Sequence, residues 1–217
     1  MAYEAETPRL YLERLSIDKH FEDFWEMWTD PRSMVWSTQA PKRTAEEAKE
    51  WMLLQLPNEK NPNIDKFALL LKPSPANPQP WLNAKGEPKA IGVVGTNRDS
   101  PQGLETGYCI NIAYWGHGYA SEGFAAFLKL FWALEERQNV GFLVAKADPE
   151  NFASARILEK SRARKGELLT GIWKRKLEDG QEQERDLICW IVDRPGIEER
   201  KAKDGEKTDP VRATSGT

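Results

Sequence analysis

The sequence predicts a mixed α/β domain, one sheet of parallel and antiparallel strands with helices packed on it, in the order β-α-α-β-β-β-α-β-α-β-β. Three observations carry this. The strand-like run Tyr108-Cys109-Ile110-Asn111-Ile112 passes through a glycine-rich turn into a helix with one apolar face. A second apolar strand, residues 140–147, follows that helix. Short apolar or alternating runs bounded by proline, glycine and aspartate mark the remaining strands.

Residues 9–15 alternate like a first strand with one buried face. Phe21, Phe24, Trp25 and Trp28 then recur at spacings of three and four, marking one side of a helix that Asp30-Pro31 ends. His20 is expected to be exposed just before that helix. Thr44-Ala45-Glu46-Glu47 reads as a capping box opening a second helix that runs towards Pro57. Residues 67–71 form a short apolar strand, followed by a proline-rich insertion over 73–88. Residues 90–95 and 105–112 are the next strands. Phe124, Phe127, Leu128, Phe131 and Leu134 give the following helix a core stripe. Residues 140–147 form a strand, a helix starts at Asn151, and 168–177 with 186–192 read as a closing hairpin joined through Asp179-Gly180.

With 217 residues and 40% hydrophobic content the chain can bury one sizeable core, so residues 1–194 are assigned to a single domain. Residues 195–217 are charged, nearly free of large apolar side chains, and expected to be disordered. A net charge of −3 gives no general attraction to nucleic acid or anionic membranes. No run of about 18 apolar residues exists for a membrane span, and residues 1–10 lack the pattern of a secretory signal. Cys109 and Cys189 each sit in an apolar run and read as buried residues of a reducing compartment, not as a disulfide or metal pair. A cytoplasmic protein without bound metal is expected; the oligomeric state leaves no mark in the sequence.

The richest stretch is Tyr114-Trp115-Gly116-His117-Gly118-Tyr119-Ala120-Ser121-Glu122-Gly123. Two glycines between a strand and a helix let backbone amides approach a ligand, and the helix start adds partial positive charge, a combination suited to phosphate. Alone, the turn could equally be an ordinary strand-to-helix loop. A dinucleotide fingerprint fails because Ser121 stands at the third glycine position and Asp148, the first acidic residue closing the next strand, comes too late. A P-loop fails because no Gly-Lys-Ser/Thr follows.

One helix and one strand later comes Asn151-Phe152-Ala153-Ser154-Ala155-Arg156-Ile157-Leu158-Glu159-Lys160. Together the two segments resemble the cofactor half of the GCN5-related N-acetyltransferases, the GNAT superfamily. That family's signature is Gln or Arg, two residues, Gly, one residue, then Gly or Ala. The branch acting on ribosomal-protein N-termini and related amines often has tryptophan first, with Asn-x-x-Ser-x-x-x-Leu-Glu-Lys on the next helix. Here His117 replaces the usual basic residue, and Ser161-Arg162-Ala163-Arg164 stand where the family continues Gly-Phe. The resemblance covers roughly residues 7–193.

The resemblance implies a GNAT fold whose central parallel strands, ending near Ile112 and Ala147, splay to admit acetyl-CoA as co-substrate. Trp115, Gly116, His117, Gly118, Tyr119, Ala120 and Ser121 would surround the diphosphate, and bulk at Gly116 or Gly118 should block it. The pantetheine arm would pair with main chain at Ile110 and Ile112, with Asn151 and Ser154 on its other side. The implied reaction is direct acetyl transfer to a primary amine. The family's tyrosine acid is replaced by Leu158, which leaves the Ser154 hydroxyl as a candidate; a helix-cap or packing serine is the alternative. Glu105, where the family often has glutamate, is the candidate base; a solvated strand-end carboxylate is the alternative. Tyr108 and Asn111 are further candidates, and neither His117 nor His20 is given a role. Asp148 reads as a turn residue and Asp186 as a structural hydrogen-bond partner.

The acceptor should lie between the first two helices and the last hairpin, among Trp28, Trp36, Trp51 and Trp173. No motif distinguishes a peptide, amino acid, polyamine or other small-molecule amine. The insertion is expected to overhang the cofactor side. Two rival readings are a coenzyme A-binding protein without catalysis and a partner-binding module of the same fold.

Overall fold

The computed structural model describes residues 3–74, 80–176 and 181–196. The described chain runs through strands β1 (Ala5–Glu6) and β2 (Leu10–Arg14), helices α1 (Ile17–Thr29) and α2 (Ala45–Leu54), and strands β3 (Lys66–Leu71), β4 (Ala90–Ser100) and β5 (Gly103–Ile110). Helix α3 (Tyr119–Ala133), strand β6 (Phe142–Ala147), helix α4 (Phe152–Lys160) and strands β7 (Arg164–Lys176) and β8 (Glu182–Asp193) complete it. The eight strands form one sheet in the order β1-β2-β3-β4-β5-β6-β8-β7. The expected element order holds, with the two-residue β1 added ahead of it. The Asp179-Gly180 connection, residues 75–79 of the insertion and the tail from 197 lie outside the described residues. Among the described residues no helix is long and apolar enough to cross a membrane.

Local sequence explains the helix limits. Thr44 Oγ1 accepts the Glu47 amide at 3.2 Å, and Glu47 Oε2 accepts the amide of Arg43, so the capping pair opens α2. Helix α1 stops at Asp30, whose extended backbone is what a residue before proline prefers. His20 departs from expectation. It lies inside α1 and is only 3% exposed, because its ring closes the turn entering the helix. Its Nδ1 accepts the Ser16 amide at 3.1 Å and its Nε2 faces Glu13 Oε2 at 3.1 Å. Burial lowers its pKa against the opposing pull of Glu13.

Two apolar layers cover the sheet. On one face α3 and α4 pack Phe124, Phe127, Phe131 and Leu158 against Phe67, Leu69, Val94, Leu104 and Leu143. Each phenylalanine buried there contributes about 1.5–3 kcal/mol. Helix α3 approaches so closely that a Cβ on Gly123 would lie 2.7 Å from the Leu69 methyls, so a larger residue there would require Leu69 or the helix to shift. On the other face α1 and α2 pack Phe24, Met27, Trp28 and Met52 over Ala68, Leu70 and Val93.

The pairing of β5 with β6 is the sheet's one parallel junction, and its register consists of Glu105↔Val144. Helix α3 is the crossover between them. Strand β5 continues to Ile110 past that pair, while β6 turns its other edge to β8 in antiparallel register from Phe142↔Asp193 to Ala147↔Ile188. Among the described residues, the C-terminal ends of β5 and β6 are therefore not laddered to one another. A gap opens there, at the N-terminal end of α3.

Candidate active site

Strand β5 ends at Ile110, two residues earlier than the sequence suggests. Asn111 breaks it: its Oδ1 accepts the Ala113 amide and so caps a single 3-10 turn over Ile112–Tyr114. Ile112 thus leaves the strand, and its amide donates to Ser33 Oγ at 3.2 Å. The Asn111 Nδ2 donates to Glu26 on α1, which makes this side chain a brace between turn and helix. Asn111 gives its amide to Ile91 on β4, so by strand alternation the groups of Ile110 face the gap. The Ile110 carbonyl there accepts the Trp115 indole N–H at 2.7 Å.

Gly116 and Gly118 follow, with φ of 81° and 79°. Both sit in the left-handed region that side-chain-bearing residues avoid, which is the local reason for the two glycines. Gly118 is the N-cap of α3, and the first bond along the helix runs from Glu122 N–H to the Gly118 carbonyl. The amides of Ala120 and Ser121 precede it and have no acceptor in a preceding helical turn. Together with the amides of the glycine turn they form the donor set an anionic diphosphate fits. The Tyr119 side chain is buried, so this residue has only main chain to offer a ligand. The His117 ring lies 5.7 Å from the Tyr119 ring, centroid to centroid.

Across the gap, Asn151 Oδ1 accepts the Ser154 amide at 3.1 Å and caps α4. This leaves Nδ2 as the atom of that side chain able to serve a ligand. Ser154 is half-buried on the first turn of α4. From β5, the Tyr108 hydroxyl reaches the Ser154 carbonyl at 3.4 Å, and burial pushes its pKa up to about 12. Leu158, where the family has its tyrosine, is buried in the core.

Glu105 occupies the opposite face. Leu104 and Ile110 point into the α3 layer and Cys109 packs under the α1/α2 layer, so Glu105, Gly107 and Cys109 share the latter face. The Glu105 carboxylate is 7% exposed. Lys146 Nζ donates to its Oε1 at 2.7 Å, and Arg98 Nε pairs with its Oε2 at 3.0 Å. It is thus a buried carboxylate held by two cations at the closed end of the β5/β6 junction. On the same face Lys66 is 6% exposed and donates to Asn97 Oδ1. Burial drives this lysine down to about 7 and raises the Cys109 thiol to about 12.

The four expected acceptor tryptophans separate into two pairs. Trp28 and Trp51 meet edge to face at 5.2 Å within the α1/α2 core. Trp36 and Trp173 both approach the Arg185 guanidinium, whose Cζ lies 5.5 and 4.9 Å from their ring centroids, and Arg185 Nη1 donates to Asp148 Oδ2 at 3.2 Å. Arg175 adds a bond to the Met34 carbonyl, so the segment after α1 is tied to the β7–β8 hairpin. Asp148 also accepts the Glu150 amide as a turn residue, and Asp186 accepts the Gly171 amide across the hairpin. The described part of the insertion meets the strand exit, where the Tyr114 hydroxyl donates to the Pro80 carbonyl at 2.7 Å. Among the described residues no group of three or more His, Cys, Asp or Glu side chains could hold a metal.

Motifs pointed to neither Arg9, Lys66, Lys146 nor Arg185. The one available signal was Glu122, a carboxylate in the first turn of a helix proposed to bind an anion, which calls for a neutralising partner.

A parallel junction paired at one position stands beside a two-glycine helix start, and comparison with known proteins identifies the family that has this arrangement. A family profile described as an acetyltransferase (GNAT) domain matches residues 9–164, and the chain belongs to that family. A GNAT-family acetyltransferase from Bacillus anthracis is 20% identical, with a TM-score of 0.61 over 89% of this chain and 99% of its own. A GCN5-related N-acetyltransferase from Brucella melitensis is 18% identical, TM-score 0.63, over 97% and 87%. A Vibrio cholerae structure, proposed to be a ribosomal-protein-serine acetyltransferase, is 18% identical, TM-score 0.56, over 87% and 95%. These likenesses establish the fold. No curated protein matches the sequence.

Proposed function

We propose that this acetyltransferase uses acetyl-CoA as donor and a primary amine as acceptor. The observation that carries the reading is the pair of left-handed glycines, Gly116 and Gly118, opening α3 where the β5/β6 ladder ends. Amides from Gly116 to Ser121 would hold the diphosphate, and Asn151 Nδ2 would hold the pantetheine arm from α4. Because Trp115 occupies the Ile110 carbonyl and Ser33 the Ile112 amide, main-chain pairing of the arm at Ile110 and Ile112 requires these two contacts to yield. When bound, the thioester supplies an activated acyl carbon to the gap.

The two faces of the sheet divide the proton work. The amine enters from the α1/α2 face, where Glu105 is the candidate to take its proton. Ser154, on the α4 side, is the candidate to donate a hydrogen bond to the leaving sulfur, reference pKa about 8.5. An α-amine of pKa about 7.7–8.0 loses only about 1 kcal/mol in reaching its neutral form at neutral pH, against roughly 4–5 kcal/mol for a lysine-type amine. A peptide N-terminus therefore asks least of the site. The Vibrio cholerae neighbour makes N-terminal serine peptides the first to try. Free Cys109 and Cys189 fit the cytoplasmic setting we infer.

The test is acetyl-CoA turnover, followed by thiol release, against N-terminal peptides, amino acids, polyamines and aromatic amines. Turnover with one class supports the reading. A thermal shift with acetyl-CoA but no transfer to any amine would make the protein a coenzyme A binder, and no shift at all would sink the donor site.

A further inference from the structure

Helix α3 carries a carboxylate in the turn where an anion is expected to sit. Glu122 is in the first turn, and uncompensated it would repel a diphosphate. The chain answers from 113 residues away. Thr7 Oγ1 donates to Glu122 Oε1 at 2.6 Å and the Arg9 amide donates to the same oxygen at 2.9 Å. The Arg9 guanidinium grips the other oxygen with Nε at 2.7 Å and Nη2 at 2.6 Å. Its third nitrogen, Nη1, donates to the His117 carbonyl at 2.8 Å, and its Cζ lies 4.7 Å from the centroid of the Tyr119 ring.

The contact to His117 has a directional consequence. The 117–118 peptide is trans, as are all the described peptides, so its carbonyl and its N–H point opposite ways. An arginine that draws the His117 carbonyl towards itself turns the Gly118 N–H away from Arg9, outward from the β2 side of the loop. Gly118 sits directly against the guanidinium, where a Cβ would be 3.5 Å from Nη2.

We propose that Arg9 is a positioning residue for the donor's diphosphate: it fixes the glycine turn through the His117 carbonyl and cancels the Glu122 charge that would oppose the anion. The proposal rests on acetyl-CoA being the donor. Arg9 acts through the turn and touches no reacting atom. Its effect is confined to donors that carry a diphosphate. A lysine can replace it only in part, because one ammonium keeps the charge but lacks the planar fork that serves a carboxylate and a carbonyl together.

The experiment compares acetyl-CoA with acetyl-pantetheine, which presents the same thioester without the diphosphate. Wild type should show the lower KM for acetyl-CoA. In Arg9→Ala, KM for acetyl-CoA should rise about 10-fold, as for a lost charge-assisted contact. Its kcat at saturating donor and its KM for acetyl-pantetheine should stay within about twofold. Arg9→Lys should fall between the two, and Thr7→Val should raise KM for acetyl-CoA by a smaller factor in the same direction. An unchanged KM for acetyl-CoA in Arg9→Ala, or an equal rise for both donors, overturns the role of Arg9. A wild type that does not prefer acetyl-CoA overturns the donor assignment and this proposal with it.

Discussion

On the α3/α4 face of the sheet the buried residues of β3 to β6 include Phe67, Leu69, Leu71, Ile91, Val94, Leu104, Ile110 and Leu143. On the α1/α2 face the same strands bury Lys66, Glu105 and, in part, Lys146. In the proposed reading the first face would hold the diphosphate with main chain, adding the side chains of Asn151 and Ser154 from the start of α4. The second is the proposed acceptor side, and it keeps ionisable groups inside at the expense of stability. A donor site made of backbone can be built from a short motif. An acceptor site made of side chains is assembled from segments far apart in the chain.

Replacing Glu105 by Gln breaks the comparison most sharply. If the α1/α2 face carries the proton chemistry, kcat should fall about 100-fold, a typical contribution for a general base. The donor KM should barely move, since the residues proposed to hold the diphosphate and the arm lie elsewhere. Rates that stay at wild-type level across about pH 6 to 9 would leave Glu105 as a structural partner of Lys146 and Arg98.

Lys66→Met probes what the polar face costs. A depressed folded pKa means that the unfolded chain binds a proton which the native chain gives up at about 7. Stability therefore rises with pH above that point and is lost as pH falls back through it. The raised thiols of Cys109 and Cys189 work in the reverse sense above about 8.5. Between about pH 7 and 8.5, then, wild type should gain about 1–2 kcal/mol in denaturant melts. The methionine variant should lose that slope and be the more stable protein at neutral pH. An identical slope in both would remove Lys66 as its source.

The smallest effect concerns Arg185, which both Trp36 and Trp173 contact. Arg185→Ala should loosen the segment after α1 from the hairpin and raise the acceptor KM about fivefold, worth roughly 1 kcal/mol, with the donor KM unchanged. A matching rise in donor KM would show that Arg185 supports the donor side as well as the acceptor side.

Much of this was legible beforehand. The 3.6-residue stripe of Phe124, Phe127 and Phe131 marked α3, and the glycine pair marked its start, because both features arise within a few residues of one another. The segments from Trp115 to Ser121 and from Asn151 to Ser154 do lie at two helix starts flanking the open ends of β5 and β6. Boundaries were less visible. Asn111 ends β5 early because its side chain caps the next turn, a competition between local hydrogen bonds that apolar alternation does not register. His20 was misplaced because exposure depends on where the chain folds back, here onto Glu13.

By itself the sequence determined the order of elements, the apolar layers and the two short motifs, since helix and strand periods and glycine's access to positive φ are properties of neighbouring residues. Only the tertiary structure decided that Arg9 would meet Glu122, that Glu105 would lie between Lys146 and Arg98, and that Arg185 would be contacted by Trp36 and Trp173. Those pairings depend on which strands become neighbours and which face each residue takes, and a charge carries no trace along the chain of the partner that folding will bring to it.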